Sequence, residues 1–187
     1  MTEKQLLFEL DNVSGLLENR QHVSKLVLQD IKAIDSLFYI VFKTANKISV
    51  KAAWVLEFVV KQELKVIFPY LDYLSKNTQR IYFGGAARSI AKITLLIIEQ
   101  NNKEQILSKK QEQAFVEIAF DWLISNHKVA IKAYTMQILF FLGKKHDWVH
   151  TELINILQEN VYKYSPAYKT RARITLEQIR KFKNNKN

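Results

Sequence analysis

Apolar residues recur along this chain at steps of three and four, the interval that places them on one side of a helix. The pattern is clearest from Lys128 to Gly143, where small Ala130 and Ala133 open the segment and Ile131, Tyr134, Ile138, Phe141 and Leu142 form the stripe. Gly143 stands where a left-handed residue would end that helix. The same periodicity predicts helices over 2–10, 20–31, 35–43, 50–61, 63–76, 86–100, 111–125, 148–162 and 167–182. Leu37 to Phe42 is apolar without a break and alone would also suit a strand; its helical neighbours decide for a helix. Ser49 and Asp147 are the expected N-caps of the segments that follow them, and Ser165-Pro166 reads as a turn into the last helix. Pro69 is expected to bend the helix that contains it. The polar run from Asn101 to Lys110 is the best loop candidate. Four glycines and two prolines leave little punctuation for the turns of a sheet, so the expected class is all-α.

A basic residue followed by Ala or Ser recurs near the start of four of these helices, at Lys51, Arg88, Lys132 and Arg171. Positions 51, 88, 132 and 171 are separated by 37, 44 and 39 residues, the period of a helical-hairpin repeat. Paired as outer then inner helix from Asp35 onward, the segments make about four hairpins, preceded by an N-terminal capping pair. The expected architecture is an α-solenoid, a superhelix in one domain over 1–183, with 184–187 a disordered basic tail.

A chain of 187 residues buries ~70 % of its unfolded surface without needing a metal or a disulfide. It holds no cysteine, which excludes a thiol nucleophile and a zinc ribbon and is consistent with a reducing compartment. The first ten residues mix acidic and apolar types and do not read as a signal peptide, and no apolar run approaches the ~18 residues of a membrane span. A cytoplasmic location is the expectation. The net charge of +10 is uneven, since seven of the 28 basic residues fall after Tyr168 with Glu177 as the one acid among them. Abundant Lys, Ile and Asn also follow from A·T-rich coding, so charge alone is weak evidence for nucleic-acid binding.

The inner segments Val50-Lys51-x-x-Trp54 and Ile131-Lys132-x-x-Thr135-Met136-x-x-Leu139 resemble the second helix of HEAT and armadillo-like repeats, and Ile67-Phe68-Pro69-Tyr70-Leu71-x-x-Leu74 resembles the proline-containing first helix. The resemblance covers roughly 35–180. One departure is that the acidic residue usual in the inter-helix turn is replaced by Asn46 and Asn126. The chain is also similar to short bacterial HEAT-like proteins, some of which carry an adenylosuccinate lyase label. That activity is rejected on the residues, because the Gly-Ser-Ser-x-Met-Pro-x-Lys-x-Asn loop of those lyases is absent.

Stacked repeats would align Lys51, Arg88, Lys132 and Arg171, with Lys92 and Arg173 near two of them. On the concave side such a row would attract an anionic partner. Alternatively, these residues hydrogen-bond the C-terminal carbonyls of preceding helices and hold the repeats in register. Trp54, Tyr134 and Tyr168 are candidates to stack on a ligand, although aromatics on helical stripes are more often core. Trp122 and Trp148, each preceded by Asp, suggest the aromatic-plus-carboxylate arrangement of DNA-alkylation-repair glycosylases, themselves built from HEAT-like repeats. His146-Asp147-x-x-His150 is similar to a zinc-protease signature, but a helix capped by Asp147 would separate the two imidazoles and no third ligand follows. Gly84-Gly85 lacks the Lys-Ser/Thr of a phosphate loop.

These readings converge on a non-enzymatic binding or scaffold module with a basic concave surface, no cofactor and no metal. Its expected partner is a protein or peptide, and the expected state is a monomer. The alternative is a nucleic-acid-binding protein related to the alkylation-repair glycosylases.

Overall fold

The computed structural model describes residues 1–43, 46–81, 84–160 and 164–185. All regular structure among them is helical: α1 (Glu3–Asp11), α2 (Leu17–Gln29), α3 (Ala33–Lys43), α4 (Lys47–Gln62), a 3-10 stretch (Leu64–Tyr70) running into α5 (Leu71–Asn77), a 3-10 turn (Thr78–Arg80), α6 (Gly84–Lys103), α7 (Lys109–Ile124), α8 (Val129–Gly143), α9 (Asp147–Asn160) and α10 (Pro166–Asn184). The predicted end at Tyr162 and the tail residues Lys186 and Asn187 lie outside the described residues. Asn184 closes α10 and Asn185 follows it in a turn. No described helix is long and apolar enough to cross a membrane.

The chain forms two compact units, 1–96 and 97–187. In the first, α3 and α4 make a hairpin, and α1 and α2 both pack on it. Leu37, Phe38, Ile40 and Val41 of α3 are buried, so the segment that could have been a strand spends its apolar surface on helix packing. Phe38 stacks on Tyr70 at 4.3 Å between ring centroids, and Phe42 meets Tyr73 edge-on at 5.2 Å. These rings hold α3 to the 3-10 stretch and α5. Pro69 does not simply bend a helix; it lies within 3-10 geometry, and regular α-helix resumes at Leu71. A proline supplies no N–H, and a short 3-10 segment absorbs that loss.

The N-cap of α4 is Asn46 rather than Ser49. Its Oδ1 accepts from the amides of Ile48 and Ser49 at 3.0 and 3.1 Å, and the Asn46 amide donates back to Ser49 Oγ. This is a capping box in which Ser49 is the third-position partner. The helix at Gly84-Gly85 also starts two residues earlier than expected, with both glycines inside α6. A β-carbon on Gly85 would lie 2.6 Å from Val50 Cγ1, so the missing side chain lets α6 approach α4.

In the second unit α8 is central, packing against α7, α9 and α10, and α9 also touches α10. The expected loop from Asn101 shortens, because α6 continues to Lys103 and α7 begins at Lys109. Asn101 is buried at the end of α6, where its Oδ1 accepts from the amides of Ile106 and Leu107 at 3.0 and 2.8 Å. Gly143 does not adopt a left-handed conformation. It is buried, and a β-carbon there would lie 2.1 Å from His150 Cδ2. The glycine therefore makes room for the imidazole of α9. Asp147 is the first residue of α9 rather than the residue before it.

Candidate functional site

In the first unit α2, α4 and α6 are linked side by side. Gln62 of α4 donates to Ser24 of α2 at 2.8 Å, while Ser89 and Lys92 of α6 reach Glu57 of α4. The side of α4 that remains partly exposed carries Lys51, Trp54, Phe58 and Lys61 at steps of three, four and three. Arg20 of α2 reaches across to this stripe, its guanidinium carbon 5.8 Å from the Trp54 ring centroid and 5.4 Å from that of Phe58. Lys61 sits 4.7 Å from the Phe58 centroid. Cation–π attraction at such distances holds both charges against the rings. Arg88 is exposed on α6, one turn before Lys92.

Glu57 anchors this group. Lys61 Nζ and Lys92 Nζ each lie 2.9 Å from its Oε1, and Ser89 Oγ donates to its Oε2 at 2.8 Å. Burial pushes the Glu57 carboxyl up, but the hydrogen bonds from Lys61, Lys92 and Ser89 outweigh burial and hold it below the ordinary carboxylate range. Burial, followed by the neighbouring Lys92, pushes the Lys61 ammonium below its ordinary value against the pull of Glu57.

The remaining cations named from the sequence occupy different environments. Lys51 donates to the carbonyl of Asp11, the last residue of α1, and lies 3.6 Å from the Asp11 carboxylate. Lys132 is 1 % exposed; its ammonium donates to the Leu123 carbonyl at 2.8 Å and to the Tyr164 hydroxyl at 3.0 Å, and lies 4.4 Å from the Tyr164 ring centroid. Lys132 has the geometry of the register-holding alternative, a cation on a C-terminal carbonyl of the preceding helix, whereas Lys51 reaches α1, three helices back. Arg171 is half-buried on α10, and exposed Arg173 lines a shallow groove of about 440 Å³ with Lys169, Thr170 and Leu176.

Among the aromatic candidates, Tyr134 is half-buried on α8. Tyr168 is buried and stacked on Tyr164 at 4.3 Å, and burial, then the Tyr164 hydroxyl, push its own hydroxyl up to about 12. Trp122 is buried edge-on to His127, whereas Trp148 is half exposed beside Phe120. The two imidazoles of the zinc-like motif point to separate partners: His146 meets Glu112 Oε2 at 3.2 Å and His150 meets the Phe140 carbonyl at 2.9 Å. Among the described residues no three His, Asp or Glu side chains are gathered so as to hold a metal.

Sequence reasoning missed Arg20, Glu57, Phe58 and Lys61. A signal existed for two of them, since Glu57 is the only acid in the apolar α4 segment and Lys61 follows it by one helical turn. No local signal pointed to Arg20, which reaches α4 only through packing of α2.

Comparison with known families gives a match to the HEAT repeat domain over residues 12–179. No curated protein and no solved structure matches the chain. The match spans most of the sequence and agrees with the helical hairpins of both units, so the chain belongs to the HEAT repeat domain family.

Proposed function

We propose that this protein is a non-enzymatic binding module that holds an acidic segment of a protein partner on the exposed face of α2, α4 and α6. The observation that carries this reading is that Arg20 and Lys61 lie against Trp54 and Phe58, while Glu57 joins Lys61 to Lys92 of α6, one turn beyond exposed Arg88. Cations positioned by aromatic rings and a buried carboxylate have lost part of their rotamer freedom before a partner arrives, which lowers the cost of docking. The same face supports a peptide better than nucleic-acid bases. Trp54 and Phe58 already associate with this chain's own cations, and Tyr168 is buried, so few candidate rings offer a face to a base. In this reading the protein acts as a monomer in the cytoplasm, a location for which the cysteine-free composition is the supporting feature.

Fluorescence anisotropy with a labelled Glu-rich peptide and with a duplex oligonucleotide at ~50 mM salt tests the reading. Peptide binding that weakens in Arg20→Gln and Arg88→Gln, with the melting temperature unchanged in Arg88→Gln, is the expected result. Duplex binding that falls steeply with salt, with no binding of the peptide, would replace this reading with the alkylation-repair type, for which base excision is the decisive assay.

A further inference from the structure

We propose that Glu57, Lys61 and Lys92 form a clamp for one side-chain carboxylate of the partner, with Glu57 setting its preference for a carboxylate over a phosphate dianion. This rests on the binding face proposed above and names the chemistry it selects. The two ammoniums share Oε1 of Glu57 at 2.9 Å each, so their nitrogens lie within twice that distance of each other. Two cations so close repel strongly unless an anion lies between them. Glu57 supplies that anion from the protected side: its side chain is 11 % exposed, against 32 % for Lys61 and 28 % for Lys92. Ser89 fixes the other carboxylate oxygen at 2.8 Å, so Glu57 cannot swing out without losing a buried hydrogen bond. Phe58 supports Lys61 from the side.

The charge of the group then limits what it accepts. Counted over Glu57, Lys61 and Lys92 alone, one carboxylate and two ammoniums leave one net positive charge, which a single incoming carboxylate balances. A phosphate monoester carries about −1.5 to −2 at pH 7, so it would leave surplus negative charge facing Glu57. That repulsion acts in a partly desolvated site, where charges are screened less than in open water. Glu57 therefore plays a positioning role: it holds the lysines at a spacing that two carboxylate oxygens bridge, and it caps the charge that can be added.

The test uses the full chain and two labelled peptides of identical acidic sequence except at one central position, which is Glu in one and phosphoserine in the other. The native protein should bind the Glu peptide at least as tightly as the phosphoserine peptide. Glu57→Gln, which raises the local charge by one unit, should invert that order and favour the phosphoserine peptide by about tenfold. Parallel losses for both peptides, tracking a lower melting temperature, would make Glu57 merely structural and overturn the clamp. If Glu57→Gln fails to fold, Lys61→Gln decides, because that side chain is more exposed than Glu57: it should weaken both peptides, the phosphoserine peptide more. Unchanged affinities in Lys61→Gln would overturn the clamp while leaving the binding face intact, provided Arg20→Gln and Arg88→Gln still weaken binding. Failure of the native protein to bind either peptide would remove the face and the clamp together.

Discussion

The ammonium of Lys132 donates to the carbonyl oxygen of Leu123 at 2.8 Å, joining the first turn of α8 to the last turn of α7. Carbonyls in the final turn of a helix lack an intrahelical donor. In a buried position such an oxygen needs one from elsewhere, and Lys132 reaches it across the hairpin.

Replacing Lys132 by Met keeps the length of the side chain but leaves the Leu123 carbonyl and the Tyr164 hydroxyl without their donor. The expected cost is ~1–3 kcal/mol, or ~2–4 °C of melting temperature per kcal/mol for a chain of this size. Arg88→Gln, at an exposed position, should stay within ~0.5 kcal/mol. Thermal unfolding followed by circular dichroism compares them, and equal stabilities would contradict the assignment of Lys132 to the hairpin.

Gly143→Ala should destabilise, because the new methyl group would overlap the His150 ring. The imidazole is 0 % exposed and bonded to the Phe140 carbonyl, so it has little room to retreat. Overpacking of this kind costs ~1–3 kcal/mol. A stabilised variant, as expected when a helical glycine merely adds backbone freedom, would show that the close approach is absent in solution.

Acid should unfold the protein partly through Glu112. Burial would raise this carboxyl, but hydrogen bonds from Lys145, Asn101, His146 and Gln105 hold it down at about 2. With the folded-state value depressed from 4.5, the unfolded chain takes up a proton first as the pH falls. The stability from Glu112 is therefore complete above ~4.5 and disappears as the pH drops towards about 2. Chemical denaturation repeated across that window should show a flatter acid limb for Glu112→Gln than for the native chain.

Asn46→Ala removes the side-chain acceptor of the first α4 amides and should cost ~1 kcal/mol. Ser49→Val would test the other half of the box, since it loses both Ser49 Oγ contacts to Asn46 while keeping a helix-compatible side chain. Urea midpoints at constant slope measure both effects. Native-like stability of Asn46→Ala would move the cap back to Ser49.

The placement of α8 and α10 was legible from periodicity, and so was the pairing of helices at intervals of about forty residues. The harder features were those in which one residue type fits two roles. Asn46 and Ser49 are both good cap residues three apart, and local sequence does not say which stands outside the helix. Gly143 fits both a left-handed terminus and a close approach, and only His150 of the next helix distinguishes them. The loop after α6 appeared longer because Asn101 is polar, yet its amide group is buried to bond the Ile106 and Leu107 backbone.

The site was legible as a set of cations but not as a surface. Lys51, Lys92 and Lys132 look alike in the sequence, and each is assigned its surroundings by residues at least nine positions away: Asp11, Glu57, and Leu123 with Tyr164. The sequence by itself determined helices and hairpin order, because backbone hydrogen bonding and the side on which apolar residues fall depend on neighbours within a turn or two. Packing decided which charges face outward and which are consumed by carbonyls and carboxylates. A charged side chain takes its energy from whatever distant segments the fold brings against it, so its role is a property of the tertiary structure.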